Sequence, residues 1–262
     1  MNNNNLKIKI FSPWTWTPLF IFALLFLLLY FAKSNVELFL GINKVSEYTS
    51  QWLWANVTLF GDGLVAAVLL SLWMKRRPDI VWALIIAMLI SGIGSQILKQ
   101  LVEVARPAGV LSPSEFILIG PKFQHHSFPS GHSATIFSLC GVWIMMISKN
   151  YIRMLLLIFA SLVAISRIAV GIHWPMDILA GSFLGWLTAW AGIILAHRSE
   201  WGYSRLAQFI IGGLLIIASL ILLLKYDTRY EVAFCLQRGI AFLTLIFGIE
   251  AFVSLFKIKN IN

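Results

Sequence analysis

Apolar residues run through most of this chain in long stretches that are separated by short polar segments. Several of these stretches approach the roughly 20 residues that an α-helix needs to cross a bilayer. None of them alternates as a barrel strand does, and backbone groups in lipid must be hydrogen-bonded internally. The pattern therefore predicts an all-α integral membrane protein with about eight spans, at about 14–32, 56–74, 79–98, 133–148, 154–170, 178–196, 207–224 and 236–256.

The amino-acid composition also indicates a membrane protein. Of the 262 residues, 59% are hydrophobic and only 12% are charged, whereas soluble domains contain about 25% charged residues. The net charge of +9 does not indicate nucleic-acid binding, because the cations sit mainly in short clusters between apolar runs, where membrane topology accounts for them. We expect membrane lipids, and no nucleic acid, as partners.

The distribution of Lys and Arg predicts the orientation in the membrane. With a cytoplasmic N-terminus, 11 of the 20 cations fall in cytoplasmic segments, and three of the other nine belong to the polar motifs described next. Outside the motifs, 11 cations are then cytoplasmic and 6 lie on the outer side, which favours cytoplasmic positions for both termini. The first apolar run follows Lys7 and Lys9 as in a signal peptide, but no small-residue cleavage site follows it, so we expect an uncleaved helix.

Three polar stretches at the edges of apolar runs carry the candidate chemistry. They are KQLVEVARP at 99–107, FPSGHS at 128–133 and SRIAVGIHWPMD at 166–177. In the predicted topology all three emerge on the outer face of the membrane. Together they hold two histidines, three cations and one aspartate. This set suits attack on a phosphate ester, with one histidine as nucleophile, one as acid, and cations around the phosphoryl oxygens.

The first two stretches are ambiguous when each is taken alone. Lys99 and Arg106 would share a face if the helix reached both, although Pro107 favours helix termination before it. They form either a phosphate clamp or a pair of snorkelling interfacial cations. At the start of the fourth run, Ser130 and Gly131 would expose backbone N–H groups to an anion, with His132 at the mouth. The alternative there is a capped helix with an incidental histidine.

The third stretch is the most informative. His173 and Asp177 are four residues apart, so a continuous helix would place the carboxylate beneath the imidazole. Arg167 adds a third cation. Pro175 suits the first turn of a helix, and Gly171 permits a tight link before it. A purely structural His–Asp hydrogen bond is the alternative interpretation.

Taken together, the three stretches resemble the signature of the type 2 phosphatidic acid phosphatase (PAP2) superfamily. The matching residues are Lys99-(six residues)-Arg106-Pro107, then Pro129-Ser130-Gly131-His132, then Ser166-Arg167-(five residues)-His173-(three residues)-Asp177. Their order, internal spacings and placement at helix ends all agree with that signature. The resemblance implies a phosphatase that needs no metal or other cofactor and acts through a phosphohistidine.

Specific roles follow from the resemblance. It implies that His173 is the nucleophile, that Asp177 orients it, and that His132 is the general acid. The residues implied to bind phosphate are Lys99, Arg106, Ser130, Gly131 and Arg167. The implied architecture is a cytoplasmic tail at 1–13, a six-helix PAP2-like core at 14–200 and an additional C-terminal helix pair at 201–262.

The resemblance also implies the class of substrate and the location. Bacterial members of the family act on undecaprenyl diphosphate, phosphatidylglycerol phosphate, phosphatidic acid or the phosphates of lipid A. We therefore expect a lipid phosphate substrate and a multi-pass protein of the bacterial cytoplasmic (inner) membrane, with its site facing the periplasm. The loop at 108–128 should cover the site and help to select the head group.

Three other functions remain open at this point. A phosphotransferase would pass the phosphate from undecaprenyl diphosphate to another lipid such as lipid A. A vanadate-dependent haloperoxidase is similar at these motifs, but those enzymes are soluble. An anion transporter would be expected to show inverted repeats and paired broken helices, and no repeat is evident in this sequence.

A few polar residues lie outside the motifs. His125 and His126 are adjacent, but no carboxylate or cysteine has a spacing that would complete a metal site. Asp62, between two glycines, either lines the site or satisfies nearby backbone groups, and we favour the second. Glu250 falls within the last apolar run, where we expect a helix-packing hydrogen bond.

Overall fold

A computed structural model describes residues 12–257 of the chain, so the first 11 residues of the expected tail lie outside the described part. No strand occurs among the described residues. The helices are α1 (Pro13–Ala32), α2 (Asn35–Asn43), α3 (Val45–Tyr48), α4 (Gln51–Leu59), α5 (Gly63–Leu69), α6 (Pro78–Val102), α7 (Pro107–Val110), α8 (Gly131–Met146), α9 (Asn150–Ala169), α10 (Pro175–Arg198), α11 (Arg205–Leu224) and α12 (Phe234–Lys257). The prediction of an all-α fold is confirmed.

Six helical segments of the described chain are long and apolar enough to cross a membrane. The expected second span is instead a broken pair, Gln51–Leu59 and Gly63–Leu72, bent by 62°. The expected fourth span is the 16-residue helix α8. The structure thus bears out a multi-pass membrane protein, and both the count of eight spans and their orientation stay predictions.

The surface of the bundle is apolar, as a lipid-facing surface must be. Large side chains on the outward faces of α1, α9 and α11 are mostly exposed; Phe20 is 71%, Leu155 62% and Leu214 60% accessible. Exposed apolar area on this scale is rare on soluble monomers. In a bilayer these side chains meet acyl chains instead of water, so they carry no penalty there.

The centre of the fold is α8, which packs against α6, α9 and α10. Small residues allow the close approach. A Cβ atom added to Gly141 of α8 would lie 2.8 Å from the Cβ of Ala189 in α10, and one added to Gly192 would lie 2.7 Å from the backbone oxygen of Ala83 in α6. Membrane helices use small residues in this way because their association depends on van der Waals contact between backbones. This packing fixes the helix ends that carry the three motifs.

The C-terminal helices α11 and α12 pair with each other and pack against α5. Glu250 of α12 is joined to Lys75 by a 2.7 Å salt bridge, and their side chains are 57% and 53% exposed. Lys75 precedes α6, so this contact ties the pair to the main bundle at the end far from the motifs. An ion pair this exposed contributes little stability in water. The proposed division of the chain at residue 200 stays a prediction.

Candidate active site

His173 and Asp177 form a buried pair at the junction of α9 and α10. Each side chain is only 2% exposed, and His173 Nδ1 lies 3.3 Å from Asp177 Oδ2. The four-residue spacing suggested a pair within one continuous helix. The two residues instead lie on either side of a helix start, because α10 begins only at Pro175. Asp177 instead stands in the first turn of α10, where the same oxygen also accepts the Trp174 backbone N–H at 2.9 Å.

The predicted roles of two turn residues in this junction are confirmed. Pro175 occupies the first turn of α10, and Gly171 adopts a φ of +79°, which a residue with a Cβ rarely adopts. A Cβ at Gly171 would also collide with the carbonyl oxygen of Ile117. The tight turn is therefore reserved for glycine, and it aims the imidazole of His173 back towards the bundle.

Arg106 contacts His173 from a segment that follows helix α6 and not from the helix itself. Helix α6 stops at Val102, and Glu103 takes a left-handed conformation with φ 43°. Arg106 follows in an extended conformation immediately before the short helix α7. Lys99 and Arg106 therefore do not share a face of one helix. The turn of the chain brings the Arg106 guanidinium back over the site, where its Nη1 lies 3.2 Å from His173 Nε2.

The side chain of Arg106 is held in this position from several sides. Its Nε donates to the His125 carbonyl at 2.9 Å and its Nη2 to the His126 carbonyl at 3.2 Å. The neighbouring Trp174 indole donates to the Ala105 carbonyl at 2.8 Å. Trp174 thus links the chain around Arg106 to the chain around His173.

These contacts define the chemical state of His173. A carboxylate can only accept, so Asp177 favours a proton on Nδ1 and leaves the lone pair on Nε2, on the side of Arg106. Burial, followed by the positive charges of Arg106, Arg167 and Lys99, lowers the pKa of His173 well below the usual range for histidine. The imidazole is consequently neutral at physiological pH, which leaves its Nε2 lone pair unprotonated.

Arg167 comes from the last turn of α9 and is 3% exposed. Its Nη1 donates to the Thr58 hydroxyl at 2.7 Å and to the Tyr230 hydroxyl at 2.9 Å. Its Nε is buried and has no hydrogen-bond partner among the described residues. A buried guanidinium donor without a partner is costly, and an anion in the site would satisfy it.

The N-terminus of α8 supplies further donors. Ser130 is the N-cap and its hydroxyl accepts the Ser133 N–H at 3.3 Å, which leaves the N–H groups of Gly131 and His132 without an intrahelical partner. A Cβ added to Gly131 would lie 3.9 Å from Lys99 Nζ. The ammonium group of Lys99 is therefore next to the helix N-terminus, and both favour an anion between them.

His132 and Arg167 both line a cavity of about 330 Å³. The break between α4 and α5 makes room for the ring: a Cβ added to Gly61 would lie 2.8 Å from the His132 Cβ. Asp62 both satisfies backbone groups and lines the cavity. Its Oδ1 accepts the N–H groups of Leu64 and Val65, and the residue is one of those around the cavity.

Several residues of the site were missed by sequence reasoning. The Ser127 hydroxyl donates to Asp177 Oδ2 at 2.5 Å and lies 3.4 Å from His173 Nδ1. Thr58 and Tyr230 bind Arg167, as described above. Ser127 directly precedes the second motif, which was a usable signal. No local sequence signal identifies Thr58 or Tyr230, because they lie 109 and 63 residues from Arg167 in the sequence.

The loop at 108–128 lies over the site only in part. Glu115 closes a local turn through Ser112, whereas Pro121 and Phe123 line the cavity. Among the described residues, no group of three His, Cys, Asp or Glu side chains is arranged to hold a metal ion. His125 and His126 use their carbonyl oxygens, not their rings, to position Arg106.

All eight predicted site residues therefore come together at one end of the helix bundle, where a buried histidine–aspartate pair is surrounded by three cations and a helix N-terminus. This arrangement places positive charges and hydrogen-bond donors beside a neutral histidine at one end of a membrane helix bundle. A family model described as "PAP2 superfamily" matches residues 80–201, which include all three motifs.

The similar proteins agree with that match. An undecaprenyl-diphosphatase of Sulfolobus acidocaldarius is 33% identical over 167 residues, covering 59% of this chain and 75% of the relative. A lipid A 4'-phosphatase of Bacteroides thetaiotaomicron is 28% identical over 104 residues, covering 38% and 46%. The crystal structure of Aquifex aeolicus LpxE superposes with a TM-score of 0.56 at 28% identity, covering 63% of this chain and 95% of that one. The chain belongs to the PAP2 superfamily, as its motifs indicated.

Proposed function

We propose that this protein is a membrane lipid phosphatase that removes phosphate from a lipid phosphate or diphosphate through a phosphohistidine intermediate. The observation that carries the proposal is the buried line of Arg106, His173 and Asp177, with His173 Nε2 3.2 Å from Arg106 and its Nδ1 3.3 Å from Asp177. A neutral imidazole between a carboxylate and a guanidinium is suited to attack a phosphorus atom that the guanidinium holds.

In the first step, the Nε2 lone pair of His173 attacks the phosphorus atom and the bond to the leaving oxygen breaks. The negative charge of the bound phosphate offsets the surrounding cations and favours a proton on His132. His132 gives this proton to the leaving oxygen, so the lipid product leaves without a negative charge on the oxygen that was cleaved. Asp177 stabilises the positive charge that develops on the His173 ring. The products of this step are the leaving group and a phosphorylated His173.

In the second step, a water molecule attacks the phosphohistidine. His132, now neutral, takes a proton from the water, the P–N bond breaks, and inorganic phosphate is released. His173 recovers its lone pair and His132 recovers its proton, so the cycle balances without a metal ion, a cofactor or a redox partner.

The three cations bind the phosphoryl group throughout. Arg106 donates to His173 Nε2 in the present structure, and a phosphoryl oxygen would take over this donor as the nucleophile is released. The buried, unpaired Nε of Arg167 supplies a second donor. Lys99 and the N–H groups of Gly131 and His132 supply further positive charge at the start of α8. Preorganised donors of this kind stabilise charge that builds up in the transition state.

The location of the site favours a lipid substrate. The motifs lie at one end of a bundle whose outer surface is apolar, so the acyl or prenyl chain of a substrate can stay in the bilayer while its head group enters. The relatives named above act on undecaprenyl diphosphate or lipid A by their names, and we propose a substrate of this kind. The cation distribution supports a site on the periplasmic side of the cytoplasmic membrane.

The function is tested by phosphate release from the detergent-purified protein in the presence of a chelator. The substrates are undecaprenyl diphosphate, phosphatidylglycerol phosphate, phosphatidic acid and lipid A. We expect chelator-resistant release from at least one of them, and the ranking identifies the preferred lipid. Release that stops with the chelator and returns with an added divalent metal would contradict the metal-free mechanism.

The role of His132 gives a separate prediction. We expect His132→Ala to lower kcat/KM for an alkyl phosphate by about 10²–10⁴-fold, because the alcohol then departs without a proton. The loss should be much smaller for an aryl phosphate, whose leaving group is stable as an anion. The measurement is kcat/KM for each of the two esters, with the wild type and with the variant. Equal losses for both esters would show that His132 is not the acid of the first step.

A further inference from the structure

The loop between α11 and α12 forms part of the cavity that His132 and Arg167 line. Residues 226–230 of this loop line the cavity, which has a volume of about 330 Å³, together with His132 and Arg167. This loop lies outside the part of the chain that the family model matches, which ends at residue 201. The C-terminal helix pair is therefore more than a membrane anchor, because it brings its own side chains to the site.

Hydrogen bonds hold this loop firmly against the core. Tyr226 donates through its hydroxyl to Asp62 Oδ2 at 2.8 Å, and the Tyr230 hydroxyl accepts from Arg167 at 2.9 Å. From the helix side, Gln237 of α12 accepts from the Thr228 hydroxyl at 2.8 Å and donates to the Tyr226 carbonyl at 2.7 Å. A segment held from both sides presents its remaining side chains in a defined position.

Packing against the loop at 108–128 fixes the same segment. Gly120 has a φ of +90°, and a Cβ added there would lie 2.6 Å from the ring of Tyr230. Tyr230 is 5% exposed. The loop at 108–128 and the α11–α12 loop therefore interlock at Gly120 and Tyr230, and they jointly cover the cavity.

Arg229 is the one cation that this loop contributes to the lining of the cavity. Its guanidinium forms no hydrogen bond and no ion pair with any residue between 12 and 257. It lies over the Phe123 ring, with Cζ 5.5 Å from the ring centroid, and Arg106 lies 5.1 Å from the same ring. Phe123 thus contacts both a cation of the proposed phosphate site and a cation that the loop contributes.

The backbone at Arg229 is adapted to this placement. Its φ is +64°, an uncommon conformation for a residue with a side chain, and its N–H is capped by Asp227 Oδ1 at 2.7 Å. The two carboxylates that line the cavity are therefore both engaged: Asp227 caps Arg229, and Asp62 binds Tyr226 and the start of α5. The cations remain available to a ligand.

We propose that Arg229 binds a second phosphate on the leaving group, and that the α11–α12 loop gives the enzyme a preference for lipid diphosphates over lipid monophosphates. The inference rests on the proposed function, in which His132 protonates the leaving oxygen. Because His132 and Arg229 line the same cavity, the group attached to the leaving oxygen lies on the side of Arg229. In a diphosphate that group is the phosphate that stays with the lipid.

The test uses farnesyl diphosphate and farnesyl phosphate, which share one hydrocarbon chain and differ in the second phosphate. We expect Arg229→Gln to lower kcat/KM for the diphosphate by about 10- to 100-fold, the effect of losing a charged hydrogen bond. For the monophosphate the change should stay within about 3-fold, since surface substitutions away from a contact have small effects. Lys225→Gln is the matched control, because Lys225 is an exposed cation at the end of α11 that does not line the cavity.

The outcomes separate this proposal from the function on which it rests. No release of phosphate from either compound by the wild-type protein would argue against the phosphatase. Equal losses for both compounds in Arg229→Gln would show that the loop only supports the common phosphate site. No loss for either compound would show that Arg229 binds nothing in the reaction. Each of the last two results overturns the preference for diphosphates that we assign to this loop.

Discussion

His173→Ala is expected to reduce phosphate release to the background, a loss on the order of 10⁴-fold or more, as when the nucleophile of a covalent mechanism is removed. No other described side chain presents a neutral nitrogen between Arg106 and Asp177. The initial rate of phosphate release and the melting temperature in detergent are measured together. We expect the variant to remain folded and to show a cooperative melting transition, because Arg106 keeps its hydrogen bonds to the His125 and His126 carbonyls when the ring is lost.

A matched control distinguishes loss of the nucleophile from loss of a histidine in general. His197 lies near the opposite end of α10, about 30 Å from Asp177 at 1.5 Å per residue. His197→Ala should retain wild-type turnover. If His173→Ala released phosphate at the wild-type rate, the phosphohistidine mechanism would have to be abandoned. A phosphoryl group trapped on His173 of the wild-type enzyme after acid-free quenching would be direct support.

Asp177→Asn is expected to lower kcat by about 10²–10⁴-fold with a small change in KM, because the carboxylate acts mainly on the transition state. An amide carries no negative charge, so it no longer stabilises the positive charge that develops on the His173 ring during attack. The Asn oxygen can still accept from Trp174, whose N–H lies 2.9 Å from Asp177 Oδ2. Helix α10 should therefore still start at the same residue. The kcat and KM are measured separately.

Asp79→Asn is the corresponding control. Asp79 also stands in the first turn of a helix that starts with proline, but it pairs with Arg77 at the other end of α6. We expect this variant to keep both kinetic constants. If Asp177→Asn raised KM and left kcat unchanged, Asp177 would be assigned to substrate binding. If kcat fell equally in the two variants, the cause would be a general effect on helix starts.

The sequence was sufficient for the fold class and for the motif residues that meet at one end of the bundle. Long apolar runs in a chain with so few charges leave the α-helix as the one state that satisfies the backbone in lipid. Polar motifs at the edges of such runs must then lie at helix ends, near the membrane surface. The spacing of His173 and Asp177 indicated their contact, although the contact is made across a helix start and not along a helix.

Other parts of the site depended on how separate segments turn and pack. Arg106 reaches His173 because Glu103 takes a left-handed conformation and reverses the chain, and the local sequence does not specify that turn. Glu250 meets Lys75 across 175 residues of sequence. The α11–α12 loop reaches the cavity only because α11 and α12 pack on α5.

The sequence by itself thus determined that this protein is a bundle of membrane helices with two histidines, an aspartate and three cations at helix ends, because hydrophobic length and local spacing are properties of single segments. Only the tertiary structure decided that Ser127 supports Asp177, that Tyr230 holds Arg167 and that Arg229 faces the cavity. These contacts join residues distant in the chain, and their geometry is set by non-local packing between helices, which no local pattern records.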